Sequence, residues 1–411
     1  VIQTGTIAAV AVGFARFLGV LAPGVSPSAW IVPPIDLSDG YAVSLSVQQL
    51  VAILLIALLT WINTRGLRVG KLIQNSFTVT KTLALIGLIL VGLLLGNADV
   101  IAQNFGAPWT PQGVAAVQPD TSWFGVPAVS AAEGGISLAI VFLVAMVGSL
   151  FSSGAWNDLS FAAGEVKDPE RNVPRALILG TALVGLLYVL ANFAYLRLLP
   201  LSAIQNAPDD RVATAALQAL WGPAGATVMA VFILISTFGC NNGLILAGAR
   251  VSYAMARDGL FFKSTGRLNA ARVPAVALVL QGVWASLLVL PRTRLRDAAG
   301  ALQLDPASGL PRYGNVYTNL LEYVVFTILI FYVLAIAALF VLRRRRPDAP
   351  RPYRAFGYPL VPAFYIFGAS AVVVALLLYR TQTTWPGLLI VLSGIPVYFF
   401  WRRRGGTGAR T

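Results

Sequence analysis

Apolar runs of about 20 residues, repeated along the chain, constrain this sequence more than any other feature. They lie at roughly 1–21, 43–62, 72–95, 136–161, 176–199, 224–253, 273–290, 317–342, 360–379 and 385–401. A helix rising ~1.5 Å per residue needs ~20 residues to cross a ~30 Å hydrocarbon core. The lengths therefore predict ten membrane-spanning helices. Closed β-barrels show alternating segments of ~10 residues instead. Composition agrees: 57% of the 411 residues are apolar and 11% are charged, against about 25% charged in a soluble domain. The fold class read here is an all-α integral membrane protein. Soluble and disordered chains are excluded.

The net charge of +14 would suggest a nucleic-acid partner in a soluble protein. Its distribution argues otherwise. Connections alternate in Lys and Arg content, so that 21 of the 30 basic residues fall on one side and 7 on the other, with Arg16 and Lys81 inside spans. The positive-inside rule makes the richer side cytoplasmic, which places the C-terminus there. The connection 291–315 goes against the trend, with Arg292, Arg294, Arg296 and Arg312 on the poorer side.

Cys240 is the sole cysteine and histidine is absent. That removes disulfide frameworks, His-based zinc or haem sites and a Ser-His-Asp triad. No cofactor and no metal are expected. The chain opens at Val1 directly in an apolar run, without a basic leader or cleavage site. The expectation is that the protein's start lies upstream.

Several positions break the rules of a lipid-facing helix. Lys81 lies inside the third span; it either snorkels to the headgroups or acts as a fixed cation able to lose a proton. For Arg16, near the other end of its span, snorkelling is the favoured reading. The fourth span turns small and polar at Gly148-Ser149-Leu150-Phe151-Ser152-Ser153-Gly154-Ala155-Trp156-Asn157-Asp158. Such a run is either a small-residue packing face or a mid-membrane break whose second half-helix points its positive end at an anionic substrate group. Asn157 or Asp158 would cap that half-helix. The sixth span carries Ser236-Thr237-Phe238-Gly239-Cys240-Asn241-Asn242, suited to oxygen ligation of Na⁺ or to interhelical hydrogen bonds. Two cytoplasmic runs, Glu165 to Arg175 and Ala256-Arg257-Asp258-Gly259, have charges able to close an inner gate or simply to be solvated. The arginines at 343–346 read as a topology anchor meeting anionic lipid.

Phe151-x-x-Gly154-Ala155-Trp156-Asn157, followed by Lys167-Asp168-Pro169-Glu170-Arg171-Asn172-Val173-Pro174-Arg175-Ala176, resembles the amino acid–polyamine–organocation permeases, nearest their L-type branch. Ser236-Thr237-Phe238-Gly239, Ala256-Arg257-Asp258-Gly259, Arg346-Pro347-Asp348 and Phe77-Thr78-x-x-Lys81 are similar to further family motifs. The resemblance implies a LeuT-type inverted-repeat transporter fold lacking its first two helices. One transmembrane domain would cover 1–411, with 1–95 the remainder of the first repeat, 136–342 the second and 360–401 two additional helices. It further implies substrate contact by Phe151, Ser152, Ser153, Gly154, Trp156 and Asn157, with Phe151 gating. Lys81, Ser236 and Thr237 would couple transport to protons, and Glu165, Arg171, Arg257 and Asp258 would serve the inner gate.

The resulting expectation is a plasma-membrane amino-acid transporter working by alternating access, as proton symporter or exchanger. Its partners would be an amino-acid substrate and the lipid bilayer, with no nucleic acid and no obligate protein. A polyamine or organic-cation carrier is the runner-up. It requires acidic cavity residues, for which Asp158 and Glu322 are the obvious candidates. A membrane-embedded enzyme would need clustered acid–base groups, and a sensor a long soluble domain; neither is visible.

Overall fold

A computed structural model describes residues 2–405 other than 39, 108–109, 111–112, 114–115, 155, 162, 164–165, 297–300, 306–308, 310 and 352, with the backbone alone described at 67–76 and 402–405. Among the described residues nine helices are long and apolar enough to cross a membrane. The seventh segment, 273–290, is shorter than its sequence suggests. Its helix runs Ala275–Leu288, 14 residues, between Pro274 and the turn that leads to Pro291.

The central helix is α1 (Ile2–Leu21). It is apolar all round and rich in small residues, which is the pattern of a helix enclosed by others. Ile7, Ala8, Ala9, Ala11 and Ala15 are completely buried. Gly5 packs under Tyr323 and Val324, and Gly13 under Tyr317. Around α1 stand α2 (Val47–Thr64), the long α10 (Val212–Arg257) and α11 (Ala275–Leu288), which also touch one another and so form a four-helix block. In sequence, α3 (Leu67–Leu95), α4 (Ala98–Phe105), α5 (Gly135–Ala145), α6 (Val147–Ser152), α7 (Asp158–Phe161), α8 (Pro169–Leu198) and α9 (Leu201–Gln205) come between α2 and α10. Helix α3 packs on α10 and α8. The chain ends with α12 (Val316–Arg345), α13 (Leu360–Tyr379) and α14 (Thr381–Gly405).

Exposure is inverted relative to a soluble protein. Leu179, Val189, Phe364 and Phe367 point outward on α8 and α13, as lipid-facing residues do, and the chain is a multi-pass membrane protein. Helix α10 extends past the apolar run read from sequence. Gly222, at φ 62°, and Pro223 kink it, so a short foot, 212–220, precedes the span.

One face carries structure that hydropathy does not show. Strands β1 (Trp30–Ser38) and β2 (Tyr41–Ser46) form an antiparallel hairpin between α1 and α2, and β3 (Pro291–Thr293) pairs with β2 through Tyr41–Thr293 and Ala42–Arg292. Residues 43–46, assigned to the second span from sequence, therefore belong to a strand. Helix α2 starts at a capping box: the Ser46 hydroxyl accepts from the Gln49 N–H, and the Gln49 side chain accepts from the Ser46 N–H. The Gln49 amide also donates to the Val289 carbonyl at 2.7 Å, which joins the start of α2 to the end of α11.

The sheet accounts for two of the four arginines that broke the charge alternation. Arg292 is buried, stacks 4.7 Å from the Trp30 ring and donates to the Pro27 carbonyl. Arg294 pairs with Asp36 at 3.3 Å. Elsewhere on this face Arg380 pairs with Glu322 at 3.2 Å, Arg211 with Asp209, and Arg197 donates to the Gly96 carbonyl. These cations hold protein together and carry little topological information.

Candidate functional site

The fourth apolar segment is interrupted in the way its composition suggests. Helix α5 passes into α6, which ends at Ser152, and helical structure resumes only for the single turn of α7. A broken helix leaves carbonyls without partners. Here the small polar residues answer that need. Ser152 donates its hydroxyl to the Gly148 carbonyl at 2.8 Å, and Ser153 to that of Leu150 at 3.2 Å. The freed Ser152 carbonyl accepts from the Tyr188 hydroxyl of α8 at 3.0 Å.

Other helices fix the far side of the break. Tyr332 of α12 donates to the Asn157 side chain at 2.8 Å and packs 5.0 Å from the Trp156 ring. Gln3 of α1 donates to Asp158 at 2.9 Å. The Asn157 side chain thus reaches α12, while its backbone carbonyl accepts from Ser160 at the start of α7. The half-helix beyond the break is one turn long, too short for an appreciable helix dipole.

Next to the break is a cavity of about 420 Å³. Phe151, Ser152 and Gly154 line one wall, and Ser236, Thr237 and Cys240 of α10 line another. Gly13 and Arg16 of α1, with Tyr317 of α12, border it as well. Thr237 donates its hydroxyl to the Ile233 carbonyl of its own helix at 2.7 Å, leaving the oxygen lone pairs as acceptors. Ser153, Trp156 and Asn157 hold the break together and are not among the residues that line the cavity.

Lys81 lies behind the α10 wall. Phe77, one turn earlier on α3, meets Phe238 edge-on with ring centroids 5.5 Å apart. Gly239 allows that approach: a Cβ there would lie 2.6 Å from the Phe77 Cβ. Lys81 is not among the residues that line the cavity. Of the proposed inner-gate residues, Glu165 lies outside the described residues. Arg171, Arg257 and Asp258 are exposed, and among the described residues no ion pair joins them.

Arg16 departs from expectation. It does not snorkel. Its side chain is 8% exposed, lines the cavity, pairs with Asp210 at 2.9 Å and stands 5.4 Å from the centre of the Tyr317 ring. Asp210 belongs to the connection between α9 and α10, where burial and then the Arg16 charge push the Arg211 pKa down. Sequence reasoning missed Tyr188, Tyr317, Tyr332 and Asp210. The available signal was Arg16 itself, a cation inside an apolar run with an acidic pair, Asp209-Asp210, far along the chain.

Comparison with known proteins matches residues 1–401 to the amino acid permease family model. The serine/threonine exchanger SteT of Bacillus subtilis is 28% identical over 367 residues, covering 87% of this chain and 70% of the relative. The human large neutral amino acids transporter small subunit 2 is 27% identical over 365 residues, 87% of this chain and 58% of its own length. The rat b(0,+)-type amino acid transporter 1 is 28% identical over 352 residues, 83% and 60% respectively. The chain spans less than two thirds of the length of these mammalian relatives.

Proposed function

Because this chain belongs to the amino acid permease family, we propose that it carries amino acids across a membrane by alternating access. The family has the LeuT-type fold, and the relatives named above are transporters and an exchanger, not enzymes. The observation that carries the reading is the break after Ser152, where Phe151, Ser152 and Gly154 line the 420 Å³ cavity together with Ser236 and Thr237 of α10. Non-helical backbone at membrane depth persists where it lines a cavity or is buried in protein, and transporters place substrate there.

In this proposal Phe151 closes over the substrate, and the backbone at Ser152 and Gly154 meets its polar groups, with Ser153 holding the break in shape. Residues 1–95 and 136–342 belong to the two inverted repeats, with 360–401 appended. Lys81 is the coupling cation, acting on the far side of the Thr237–Cys240 wall as proton carrier in symport or as a fixed charge in exchange. The sheet face is external and the C-terminus cytoplasmic in a plasma (inner) membrane, following the 21-to-7 division of basic residues.

The organic-cation alternative gains no support from the site. Glu322 is held by Arg380 and Thr383, Asp158 by Gln3 and Asp210 by Arg16. The test is uptake and counterflow of labelled amino acids by purified protein, expressed from its complete coding sequence, in proteoliposomes. Concentrative or exchanged uptake is the expected result, and Lys81→Ala is expected to abolish its dependence on a pH gradient or on internal substrate. Pumping by Lys81→Ala at the wild-type level would remove the coupling role, and absence of any amino-acid flux would remove the function.

A further inference from the structure

Arg16 and Asp210 are an unequal pair. The guanidinium is enclosed, at 8% side-chain exposure, while the carboxylate is 74% exposed. Asp210 can therefore return to water at little cost. Arg16 cannot, because a buried charge left without its partner is strongly unfavourable. Any movement that withdraws Asp210 has to leave another anion on Arg16.

The connection that supplies Asp210 is also held under strain. Asp209 and Asp210 lie at φ 49° and 52°, the left-handed region that non-glycine residues seldom occupy. Asp209 is tied to Arg211 and Asp210 to Arg16. Release of the Arg16 contact lets this backbone relax, so the segment is set to withdraw once a substitute anion arrives.

Arg16 faces the place where that anion would come from. It follows Gly13 by three residues on α1, about 4.5 Å along the axis on the same face, and both line the cavity beside Phe151 and Gly154. A guanidinium offers a planar fork that matches a carboxylate. The Tyr317 ring favours the cation at this spot.

Building on the transport reading, we infer that Arg16 is the carboxylate-recognising residue of the cavity, that Asp210 stands in for the substrate's anionic group, and that the substrates are amino acids with a side-chain carboxylate. The substrate carboxylate takes the place of Asp210 on Arg16, and the 207–211 segment withdraws.

Glutamate and glutamine are nearly isosteric and differ in this charge, so their uptake kinetics in proteoliposomes of the complete protein form the test. The KM for glutamate is expected to be about tenfold below that for glutamine, the equivalent of one charge-assisted contact. Arg16→Gln should bring the ratio close to one, and Asp210→Asn, which removes the internal competitor, should widen it. A wild-type protein that takes glutamine as well as glutamate overturns the inference without recourse to any variant. So does a purely structural tie, in which both substitutions slow both substrates equally and leave the ratio unmoved. Transport of neutral amino acids alone would leave the permease reading standing, whereas no amino-acid uptake at all would remove both.

Discussion

Asp120 is a single residue that terminates a span from outside it. Its two carboxylate oxygens accept from the backbone N–H groups of Thr381 and Gln382, at 2.8 and 2.9 Å, where α14 begins. Those N–H groups have no partner within the helix. Burial raises the Asp120 pKa from 3.8 to about 6, against the opposing pull of these hydrogen bonds and of Arg380. The folded protein thus binds this proton more tightly than the unfolded chain. Stability from this group is full below about pH 4, falls as pH rises to about 6, and is flat above, a change of at most about 3 kcal/mol. Thermal unfolding in detergent across pH 4–7 should show that decline, and Asp120→Asn should flatten it. A variant that keeps the wild-type slope would assign the effect to other groups.

At the scale of elements, the crossing of α3 and α10 is a contact that leaves no room for an added side chain. Gly239 rests on Phe77 so closely that even one methyl group collides with the Phe77 Cβ. Gly239→Val is expected to cost about 1–3 kcal/mol, as overpacking does, and Phe77→Gly, which removes that Cβ together with the ring, should recover part of that loss in the double variant. Additive losses, measured as shifts in unfolding temperature, would show that the two helices do not meet there. The same elements show what the sequence can and cannot convey. Spans were legible because a hydrocarbon core fixes their length, and the break was legible because Ser152, Ser153 and Gly154 crowd small polar residues into an apolar run. Strand β2 has the alternating burial of a half-covered strand, but its partner β3 lies some 250 residues away, so its pattern merged into the neighbouring span. Arg16 was misread for the same reason: its partner is 194 positions distant, and proximity to a helix end suggested the headgroups instead.

For the whole molecule, orientation is the property that follows from the charge division. The sole cysteine, Cys240, makes it directly measurable. In a Cys240→Ser background, a membrane-impermeant thiol reagent should label Leu37→Cys on β1 in intact cells. Asp348→Cys, after α12, should react only once the membrane is opened. The reverse pattern would invert the proposed topology. Both sites lie in exposed connections, so neither substitution disturbs the packed block of α1, α2, α10 and α11.

The β1–β2–β3 sheet sets an order of assembly. Its first two strands leave the ribosome early, between α1 and α2, and fold back on one another locally. The third strand, together with the Val289 carbonyl that receives the Gln49 amide 240 positions away, is synthesised only after α11. Until then the hairpin has an open edge and α2 an unpaired amide. Membrane insertion of the early helices therefore precedes their final docking, and late synthesis of a three-residue strand closes the block. Nascent chains that end before residue 290 should keep this hairpin open to protease, and chains that include residues 291–293 should protect it.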